Sequence, residues 1–386
     1  SSRKLGLSAS QTMRTAQRLY ENGFITYMRT DSTFLSDEGV KGSQNEIISR
    51  FGKEYLPDQP KVYKTKVKNA QEAHEAIRPA GINFASVDQV KNTIDEDAAK
   101  LYDLIRKRTL ASQMKSAKIK QISITIENQQ SSFRANGKKI IFPGYMAAYV
   151  ESTDKRNGVT EDQETILPEM ISGQNLECSE LVSDEHSTKP PARFTEASLV
   201  KELEAQGIGR PSTFANIIDT IVYRTYVYRD RGKLTPTFLG VAVTQLLENH
   251  FTELVDTKFT ANMEDGLDAI SRGEKEATPF MKDFYFGTEG QTGLEAMLDD
   301  KVDIGKACSV QFENDGEPIE IRVGQYGPFI QQGEIRKSIP QNIFLGDINI
   351  DKALEILNEE INEDKELGID TDSGETIFLK SGPYGP

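Results

Sequence analysis

The period of the hydrophobic pattern changes several times along this chain, and these changes constrain its fold more than any other feature. Apolar residues recur at helical spacing in residues 10–20 and 95–110. Residues 119–127 instead alternate between apolar and polar side chains, which is typical of a strand with one apolar face. Helical spacing then returns in residues 195–251. We therefore predict a multidomain α+β fold.

Turn and capping residues indicate where some of these elements begin and end. Ser36 and Thr195 are predicted N-caps because each precedes a helical pattern. Gly23 is a predicted helix stop, and residues 24–28 form a short β-rich run after it. Asn136-Gly137 lies between two apolar runs, which predicts a hairpin turn at that point.

The chain is too long for one hydrophobic core. Its 386 residues exceed the ~250–300 at which single cores stop growing, and we predict four pieces: 1–115, 116–185, 186–290 and 300–386. The hydrophobic content of 37% excludes a wholly disordered chain. No apolar run approaches the ~20 residues that cross a bilayer, so we expect no membrane association.

A short motif occurs twice in the last piece. Gly324-Gln-Tyr-Gly-Pro328 recurs as Gly382-Pro-Tyr-Gly-Pro386, each time after an apolar run. Two copies suggest a tandem module, and their spacing predicts that the natural protein continues beyond Pro386. The opening SSRKLG has no initiator Met, charged n-region or apolar h-region. We therefore expect an excised fragment.

Charge is distributed unevenly along the sequence. The net charge is −14, but residues 1–120 carry +7, residues 121–300 carry −12 and residues 301–386 carry −9. Such asymmetry indicates polyanion binding by the basic part. The basic excess includes the run Lys61, Lys64, Lys66 and Lys68, for which a solvated loop is an equally good interpretation.

Two short stretches carry residues suited to chemistry on a phosphate. Tyr27 stands two residues before Arg29, whose guanidinium would favour the phenolate and neutralise a phosphate. His74 is followed by Glu75 and Arg78, and a histidine can donate to a phosphate oxygen or move a proton. The alternatives are a half-buried tyrosine and a structural histidine.

A glycine-punctuated turn forms a third candidate. Residues 207–213 read Gly-Ile-Gly-Arg-Pro-Ser-Thr just before a helical pattern, so backbone N–H groups and two hydroxyls would face an anion there. An ordinary connection between helices is the alternative. Taken alone, these residues predict a basic, phosphate-handling protein with a candidate tyrosine nucleophile.

Together, three longer segments closely resemble type IA DNA topoisomerases of the bacterial topoisomerase I kind. They are RTAQRLYENGFITYMRTDST (14–33), AQEAHEAIRPA (70–80) and PPARFTEASLVKELEAQGIGRPST (190–213), in the order and separation of that family. The resemblance runs from Ser2 to about Phe286. The Gly-x-Tyr-Gly-Pro repeats resemble the C-terminal DNA-binding modules of some members.

The resemblance implies a type IA topoisomerase core. Residues 1–115 would form a helical, winged-helix-like gate domain that carries the active-site tyrosine. Residues 116–185 would form a β-rich arch, and residues 186–290 a helical domain lining a single-strand groove. Residues 300–386 would form small β-rich C-terminal repeat modules, the second of them truncated.

The resemblance also implies an activity, namely ATP-independent relaxation of negatively supercoiled DNA. Tyr27 would attack a single strand to form a 5′-phosphotyrosine, Arg29 would contact the scissile phosphate, and His74 would assist. Further DNA-binding positions would be Arg78, Arg193, Lys201, Arg210, Ser212 and Thr213. The repeat aromatics Tyr326, Phe329 and Tyr384 would either stack on bases or pack within their module.

The metal site of the family has no counterpart in this sequence. Its N-terminal Toprim domain holds Mg²⁺ with an Asp-x-Asp-x-Glu cluster, and Asp95-Glu96-Asp97 lacks that spacing. We therefore expect Mg²⁺ to be bound by the absent Toprim domain and the chain alone to be inactive. Cys178 and Cys308 fit neither a disulfide framework nor a zinc site. We expect no zinc and no ATP.

The expected partners are single-stranded and negatively supercoiled DNA, bound by a monomer in the cytoplasm at the nucleoid. Two alternatives remain open at this point. A non-catalytic single-stranded DNA-binding or scaffolding protein would not need Tyr27. A tyrosine recombinase would also pair arginines and a histidine with a tyrosine, but it would leave a 3′-phosphotyrosine.

Overall fold

The structure is a computed structural model, and it describes residues 1–63, 74–150, 165–298, 302, 309–312, 317–324, 327–340, 343, 348–358, 365–369 and 374–379. The chain divides into two compact units. The first comprises Ser1–Ile221, Asp230–Leu234 and Thr260–Ala277, and the second comprises Val222–Arg229, Thr235–Phe259 and Thr278–Pro386. Lys64, Lys66, Lys68, Cys308, Tyr326 and Tyr384 lie outside the described residues.

Helices dominate the N-terminal part of the first unit. They are α1 (Ser2–Leu5), α2 (Ala9–Glu21), α3 (Asp37–Phe51), α4 (Val87–Thr93) and α5 (Glu96–Gln113), with a short 3₁₀ turn at Lys53–Tyr55. The predicted N-cap of α3 is confirmed, because the Ser36 hydroxyl accepts a hydrogen bond from the Gly39 amide at 3.3 Å. Asp95 caps α5 in the same way, through the Ala98 amide at 2.8 Å.

One hydrophobic core joins α2, α4 and α5 to the segment that follows α2. Its buried members are Ala16, Leu19, Phe24, Ile25, Met28, Val90, Ala98, Ala99, Leu101 and Tyr102. The Tyr102 hydroxyl donates to the Ala85 carbonyl at 2.9 Å, and burial raises the pKa of Tyr102 to about 12. This packing gives the residues after α2 a fixed support.

A long antiparallel hairpin follows α5. Strands β1 (Lys118–Asn128) and β2 (Ser131–Phe142) pair along their whole length, as the alternating pattern predicts for β1. The predicted turn at Asn136-Gly137 is wrong: the turn falls at residues 129–130, and Gly137 lies inside β2 opposite Ile122. A Cβ at Gly137 would meet the Leu167 side chain at 2.7 Å. The glycine therefore makes room for a neighbouring segment rather than for a turn.

Helical structure returns after residue 195. The order is α6 (Glu196–Gln206), α7 (Phe214–Tyr223), strands β3 (Val227–Asp230) and β4 (Lys233–Pro236), then α8 (Phe238–His250), α9 (Thr252–Val255), α10 (Thr257–Ser271) and α11 (Ala277–Phe286). Thr195 caps α6 through the Ser198 amide at 3.2 Å, as predicted. The described residues 166–195 contain no helix or strand, so the piece predicted to be β-rich is so mainly in β1 and β2.

The second unit continues with β5 (Gly287–Thr288), β6 (Gln291–Thr292) and α12 (Leu294–Leu298). An antiparallel sheet follows in the order β10-β9-β8-β7, built from β7 (Ser309–Phe312), β8 (Ile319–Gly324), β9 (Gly327–Gln332) and β10 (Ile335–Ser338). Helix α13 (Ile350–Asn358) and the pair β11 (Lys365–Ile369) and β12 (Thr376–Leu379) complete the unit.

The repeat motifs follow strands in both copies. The apolar run before the first motif is β8, and the run before the second is β12. Phe329, in β9 just after the first motif, packs beside the guanidinium of Arg336, whose Cζ lies 5.9 Å from the ring centroid. The Phe329 ring thus contacts a side chain of the neighbouring strand β10. Among the described residues, no helix is both long and apolar enough to cross a membrane.

Candidate active site

Two chain segments that are far apart in sequence run antiparallel beside Tyr27. Ile25 and Pro79 form a β-bridge, and the Thr26 amide donates to the Arg78 carbonyl at 2.9 Å. The Thr26 hydroxyl also donates to the Ala76 carbonyl at 2.8 Å. The pairing is too short to make the β-rich run at residues 24–28 a strand. It nevertheless joins the tyrosine-bearing segment to the histidine-bearing segment.

Tyr27 is held between two other rings. Its centroid lies 5.3 Å from that of Tyr20 in an edge-on arrangement. It lies 5.1 Å from the centroid of His74, with 32° between the ring planes. The Tyr27 ring is half-buried and also packs against the core of the first unit. The structure therefore brings two of the three predicted catalytic side chains into contact and leaves the phenol ring partly accessible.

Two polar atoms in these segments have no partner. The Nδ1 atom of His74 and the Oδ1 atom of Asp31 are buried, and neither forms a hydrogen bond within the part of the chain that the structure describes. Leaving a buried polar group without a partner costs free energy, so such groups are few in native proteins. Both side chains are thus suited to a bound ligand.

Arg29 differs from its neighbours in being exposed. It lies two residues after Tyr27, beyond the buried Met28. Among the described residues its guanidinium forms no ion pair or hydrogen bond. A guanidinium offers five donors in a planar fork that matches a phosphate. Arg29 is therefore available to an anion beside Tyr27.

Arg78 lies in the interior, unlike Arg29. The residue is only 3% exposed. Its guanidinium donates to both carboxylate oxygens of Glu75, from Nε at 3.0 Å and from Nη2 at 2.9 Å. It also donates to the Ser36 hydroxyl at 3.2 Å and to the carbonyls of Pro79 and Gly81 at 2.8 and 3.2 Å. Its donors are therefore engaged inside the chain, and contact of Arg78 with DNA stays a prediction.

Glu75, whose side chain is partly exposed, completes this cluster and stays ionised. Its carboxylate accepts a hydrogen bond from the Ser36 amide at 3.2 Å as well as those from Arg78. Burial alone would raise the pKa of Glu75, but the hydrogen bonds from Arg78 and Ser36 outweigh it and hold the pKa below its ordinary value. The cluster ties the segment after His74 to the N-terminus of α3.

The other predicted DNA-binding residues lie around α6 and the turn after it. Arg193, Lys201, Ser212 and Thr213 are exposed. Arg210 is largely covered, and its guanidinium donates to the carboxylate of Asp268 and lies 3.6 Å from that of Glu264, both on α10. The Thr213 hydroxyl accepts from the Arg210 amide at 2.8 Å. Some polar groups of the turn at residues 207–213 are thus hydrogen-bonded within the turn itself.

One buried carboxylate connects α6 to the helix that precedes Tyr27. Glu196, the first residue of α6, is 8% exposed, and its Oε2 accepts a hydrogen bond from the Ala9 amide at 2.6 Å. Ala9 is the first residue of α2, where a helix presents unpaired N–H groups and the positive end of its dipole. The predicted groove residues and the Tyr27 segment are therefore linked through α2.

The described residues do not fit a magnesium site. They contain no group of three or more His, Cys, Asp or Glu side chains arranged to hold a metal ion. Asp95 is used as the N-cap of α5 and pairs with Arg18 at 2.7 Å. Glu96 pairs with Lys91.

Sequence reasoning missed three residues of this site. Tyr20, Ser36 and Glu75 contact Tyr27 or Arg78, yet the sequence predicted Ser36 only as a helix cap, placed Glu75 only as the residue after His74, and gave Tyr20 no role. Glu75 lies in the same short motif as His74 and Arg78, and this proximity in sequence was the one signal that it belongs to the site. Nothing in the sequence pattern showed that Tyr20 would reach the ring of Tyr27, because that contact depends on how the chain turns after α2.

Family models match two parts of the chain. The model described as DNA topoisomerase matches residues 1–282, and the model described as topoisomerase C-terminal repeat matches residues 313–366. The first match includes Tyr27, Arg29, His74 and all the predicted DNA-binding residues. The second includes the first copy of the repeat motif.

Curated proteins and a solved structure are similar over most of the chain. "DNA topoisomerase 1" of Synechocystis sp. is 47% identical, covering 100% of this chain and 43% of that protein. "DNA topoisomerase 1" of Streptomyces coelicolor is 44% identical, with coverages of 100% and 43%. Full-length topoisomerase I from Thermotoga maritima has a TM-score of 0.66 and 31% identity, covering 89% of this chain and 56% of that one. The chain thus spans less than half the length of these curated relatives.

Proposed function

Because the chain belongs to the DNA topoisomerase family, we propose that it carries the strand-cleaving half of a type IA topoisomerase, with Tyr27 as the nucleophile. The proposed activity is ATP-independent relaxation of negatively supercoiled DNA by transient cleavage of one strand. The observation that carries this proposal is the contact between Tyr27 and His74, with the exposed Arg29 two residues after Tyr27, inside the segment that matches the family model.

The proposed reaction exchanges one phosphodiester for another. The Tyr27 Oη loses its proton and attacks the phosphorus of a single strand, and the bond to the 3′ oxygen breaks. The 5′-phosphate is then joined to Tyr27, and the 3′ oxygen leaves as a hydroxyl after gaining a proton. The reverse attack by that hydroxyl restores the strand. Because the number of phosphodiester bonds is unchanged, resealing needs no ATP.

The exposed cation and the stacked imidazole have separate tasks. Arg29 contacts the scissile phosphate and stabilises the charge that develops on it, a contribution that is often the largest in such reactions. His74 faces the Tyr27 ring, and its Nδ1, which has no hydrogen-bond partner among the described residues, is placed to bond a phosphate oxygen.

The exposed residues around α6 bind the strand outside the cleavage site. Arg193 and Lys201 are exposed and carry positive charge, and Ser212 and Thr213 offer hydroxyls at the start of α7. Contacts of this kind fix the position of a strand without reading its bases. Arg210 takes part only when a phosphate replaces the carboxylates of Asp268 and Glu264.

Mg²⁺ is assigned to a part of the longer protein outside the described residues, because these residues do not fit it. When bound, a divalent cation neutralises charge on a phosphate. We expect the chain alone not to relax a plasmid, and we expect the natural protein to act on DNA in the cytoplasm at the nucleoid.

The test is a covalent-adduct assay with a 3′-end-labelled single-stranded oligonucleotide. The chain is incubated with and without an N-terminal Toprim domain of this family and Mg²⁺, and the products are separated on a denaturing gel. A labelled protein band reports attachment of the 5′-phosphate, because the 3′ label stays with that strand. We expect the band only with the added domain, and we expect its loss in Tyr27→Phe.

A matched control is provided by the neighbouring ring. Tyr20→Phe removes a hydroxyl from the tyrosine that contacts Tyr27 and should retain the band. A band only with a 5′-labelled strand would favour a recombinase-type 3′-phosphotyrosine. Intact DNA binding without an adduct in any lane, with the added domain shown to be folded, would favour a non-catalytic DNA-binding protein.

A further inference from the structure

The ion pair between the buried Arg78 and the partly exposed Glu75 is connected to both sides of the candidate active site. Arg78 is only 3% exposed, and its backbone carbonyl accepts from the Thr26 amide, one residue before Tyr27, at 2.9 Å. Glu75 is adjacent to His74 in sequence. The ion pair therefore joins a residue bonded to the Tyr27 segment, Arg78, to the residue that follows His74, Glu75.

The pair is also anchored to a third element. Ser36, the N-cap of α3, donates its amide to Glu75 at 3.2 Å and accepts from Arg78 Nη2 at 3.2 Å. Gly39, in the first turn of α3, leaves the space that the guanidinium fills, since a Cβ there would lie 2.5 Å from Arg78 Nε. The His74 segment is thus fixed against a helix terminus as well as against residues 24–26.

We propose that the Glu75–Arg78 pair positions His74 against Tyr27 for strand cleavage, and that Arg78 acts through this pair rather than by binding DNA. Arg78 is a positioning residue in this proposal, which rests on the proposed function of Tyr27. Its planar fork holds both oxygens of Glu75 and two backbone carbonyls at once. A lysine has the same charge but lacks this geometry.

A second buried arginine of the same unit provides a matched control. Arg106, on α5, is 4% exposed and pairs with Glu46 on α3. In the part of the chain that the structure describes, its side chain bonds neither the Tyr27 segment nor the His74 segment. Arg106→Lys therefore disturbs a buried Arg–Glu pair without touching the proposed positioning contact.

The first arm of the test is NMR on the full chain labelled with ¹³C-histidine. The chain has three histidines, so His186 and His250 serve as internal references for His74. We expect Arg78→Lys to shift the His74 ring signals, because the ring moves relative to Tyr27. We expect Arg106→Lys to leave them in place. Unchanged His74 signals in Arg78→Lys would overturn the proposal.

The second arm separates binding from chemistry in the adduct assay with the added Toprim domain. A misplacement of about 1 Å can cost about 10²-fold in rate. We expect Arg78→Lys to slow adduct formation by at least about tenfold, with the dissociation constant for the oligonucleotide unchanged within about twofold. Arg106→Lys should retain the wild-type rate at a temperature where both variants are folded.

The outcomes keep the two proposals apart. Weaker DNA binding with an unchanged cleavage rate in Arg78→Lys would overturn the positioning role in favour of direct contact. An equal loss of rate in Arg106→Lys would also overturn it, in favour of a merely structural role. No adduct with the wild-type chain would defeat the proposed function of Tyr27, whereas the histidine signals would still decide whether Arg78 positions His74.

Discussion

Two arginines predicted to bind DNA lie in different surroundings within the first unit. Arg78 is 3% exposed and bonds Glu75, Ser36 and two backbone carbonyls. Arg210 has a side chain that is 21% exposed and pairs with Asp268 and Glu264. Both guanidiniums have carboxylate partners, but only the first is closed off from solvent.

The difference in burial decides what each arginine can do. Breaking a buried pair leaves a charge without solvent or partner, which is strongly unfavourable. A partly exposed pair exchanges its carboxylate for water or another anion at much lower cost. Arg78 therefore serves as a fixed part of the site, whereas Arg210 is able to exchange its carboxylates for a phosphate.

The largest expected effect separates the two arginines by stability. Arg78→Met should lower the free energy of unfolding by about 3–5 kcal/mol, because the largely covered Glu75 carboxylate, the Ser36 hydroxyl and two backbone carbonyls all lose the donors of a buried guanidinium. Arg210→Met should cost only about 1.5 kcal/mol. Urea unfolding followed by circular dichroism measures both, and equal losses would contradict the contrast in burial.

The next effect concerns the space that Arg78 occupies. Alanine normally stabilises a helix by up to about 1 kcal/mol relative to glycine. Gly39→Ala should instead destabilise by about 1–3 kcal/mol, because its Cβ would lie 2.5 Å from Arg78 Nε. The loss should shrink in an Arg78→Met background. Asn45→Ala, at an exposed site on the same helix, is the control and should not destabilise.

A smaller effect depends on pH. The pKa of Glu75 is held below its ordinary value of 4.5 in the folded chain, so its contribution to stability is present above about pH 4.5 and is lost as pH falls through the lowered pKa. The stability difference between wild type and Glu75→Gln should thus be largest near neutral pH and decrease in acid. Glu38→Gln serves as the control, because it removes a negative charge close to Arg78 without touching Glu75. That carboxylate is half-exposed and lies 3.7 Å from the Arg78 guanidinium. A pH-independent difference for Glu75→Gln would argue against this ion pair.

The smallest effect is on the salt dependence of DNA binding. If Arg210 exchanges its carboxylates for a phosphate, Arg210→Gln should lower the slope of log K against log salt by about 0.7 for single strands. Asp268→Asn should strengthen binding, because it removes the competing carboxylate. Arg272→Gln, which disrupts an exposed pair with Glu274, serves as the control. An unchanged slope would mean that Arg210, like Arg78, has a structural role and does not bind a phosphate.

Much of the local structure could be predicted because it depends on neighbouring residues. Ser36 and Thr195 cap helices as expected, since a cap needs only a hydroxyl and an amide three residues away. The position of the hairpin turn could not be predicted correctly. Gly137 lies inside β2, where the side chain of the distant Leu167 leaves no room for a Cβ, and a local turn pattern does not reveal that contact.

The candidate site likewise has some features that the sequence predicts and others that depend on distant residues. Tyr27, Arg29 and His74 were identified from their motifs, and the structure adds that the rings of Tyr27 and His74 meet. The burial of Arg78 was not predictable, because arginine is usually exposed. It becomes buried only when Glu75, Ser36 and the space at Gly39 come together.

The sequence by itself determined the helices, the alternating strand β1, the family and the residues with suitable chemistry, because short-range periodicity and side-chain type encode them. The tertiary structure alone decided which of these residues meet and which are covered. Contacts such as Tyr27 with His74 and Arg78 with Ser36 join positions about 40 to 50 residues apart. Burial then sets the cost of breaking each contact, and so separates a fixed arginine from an exchangeable one.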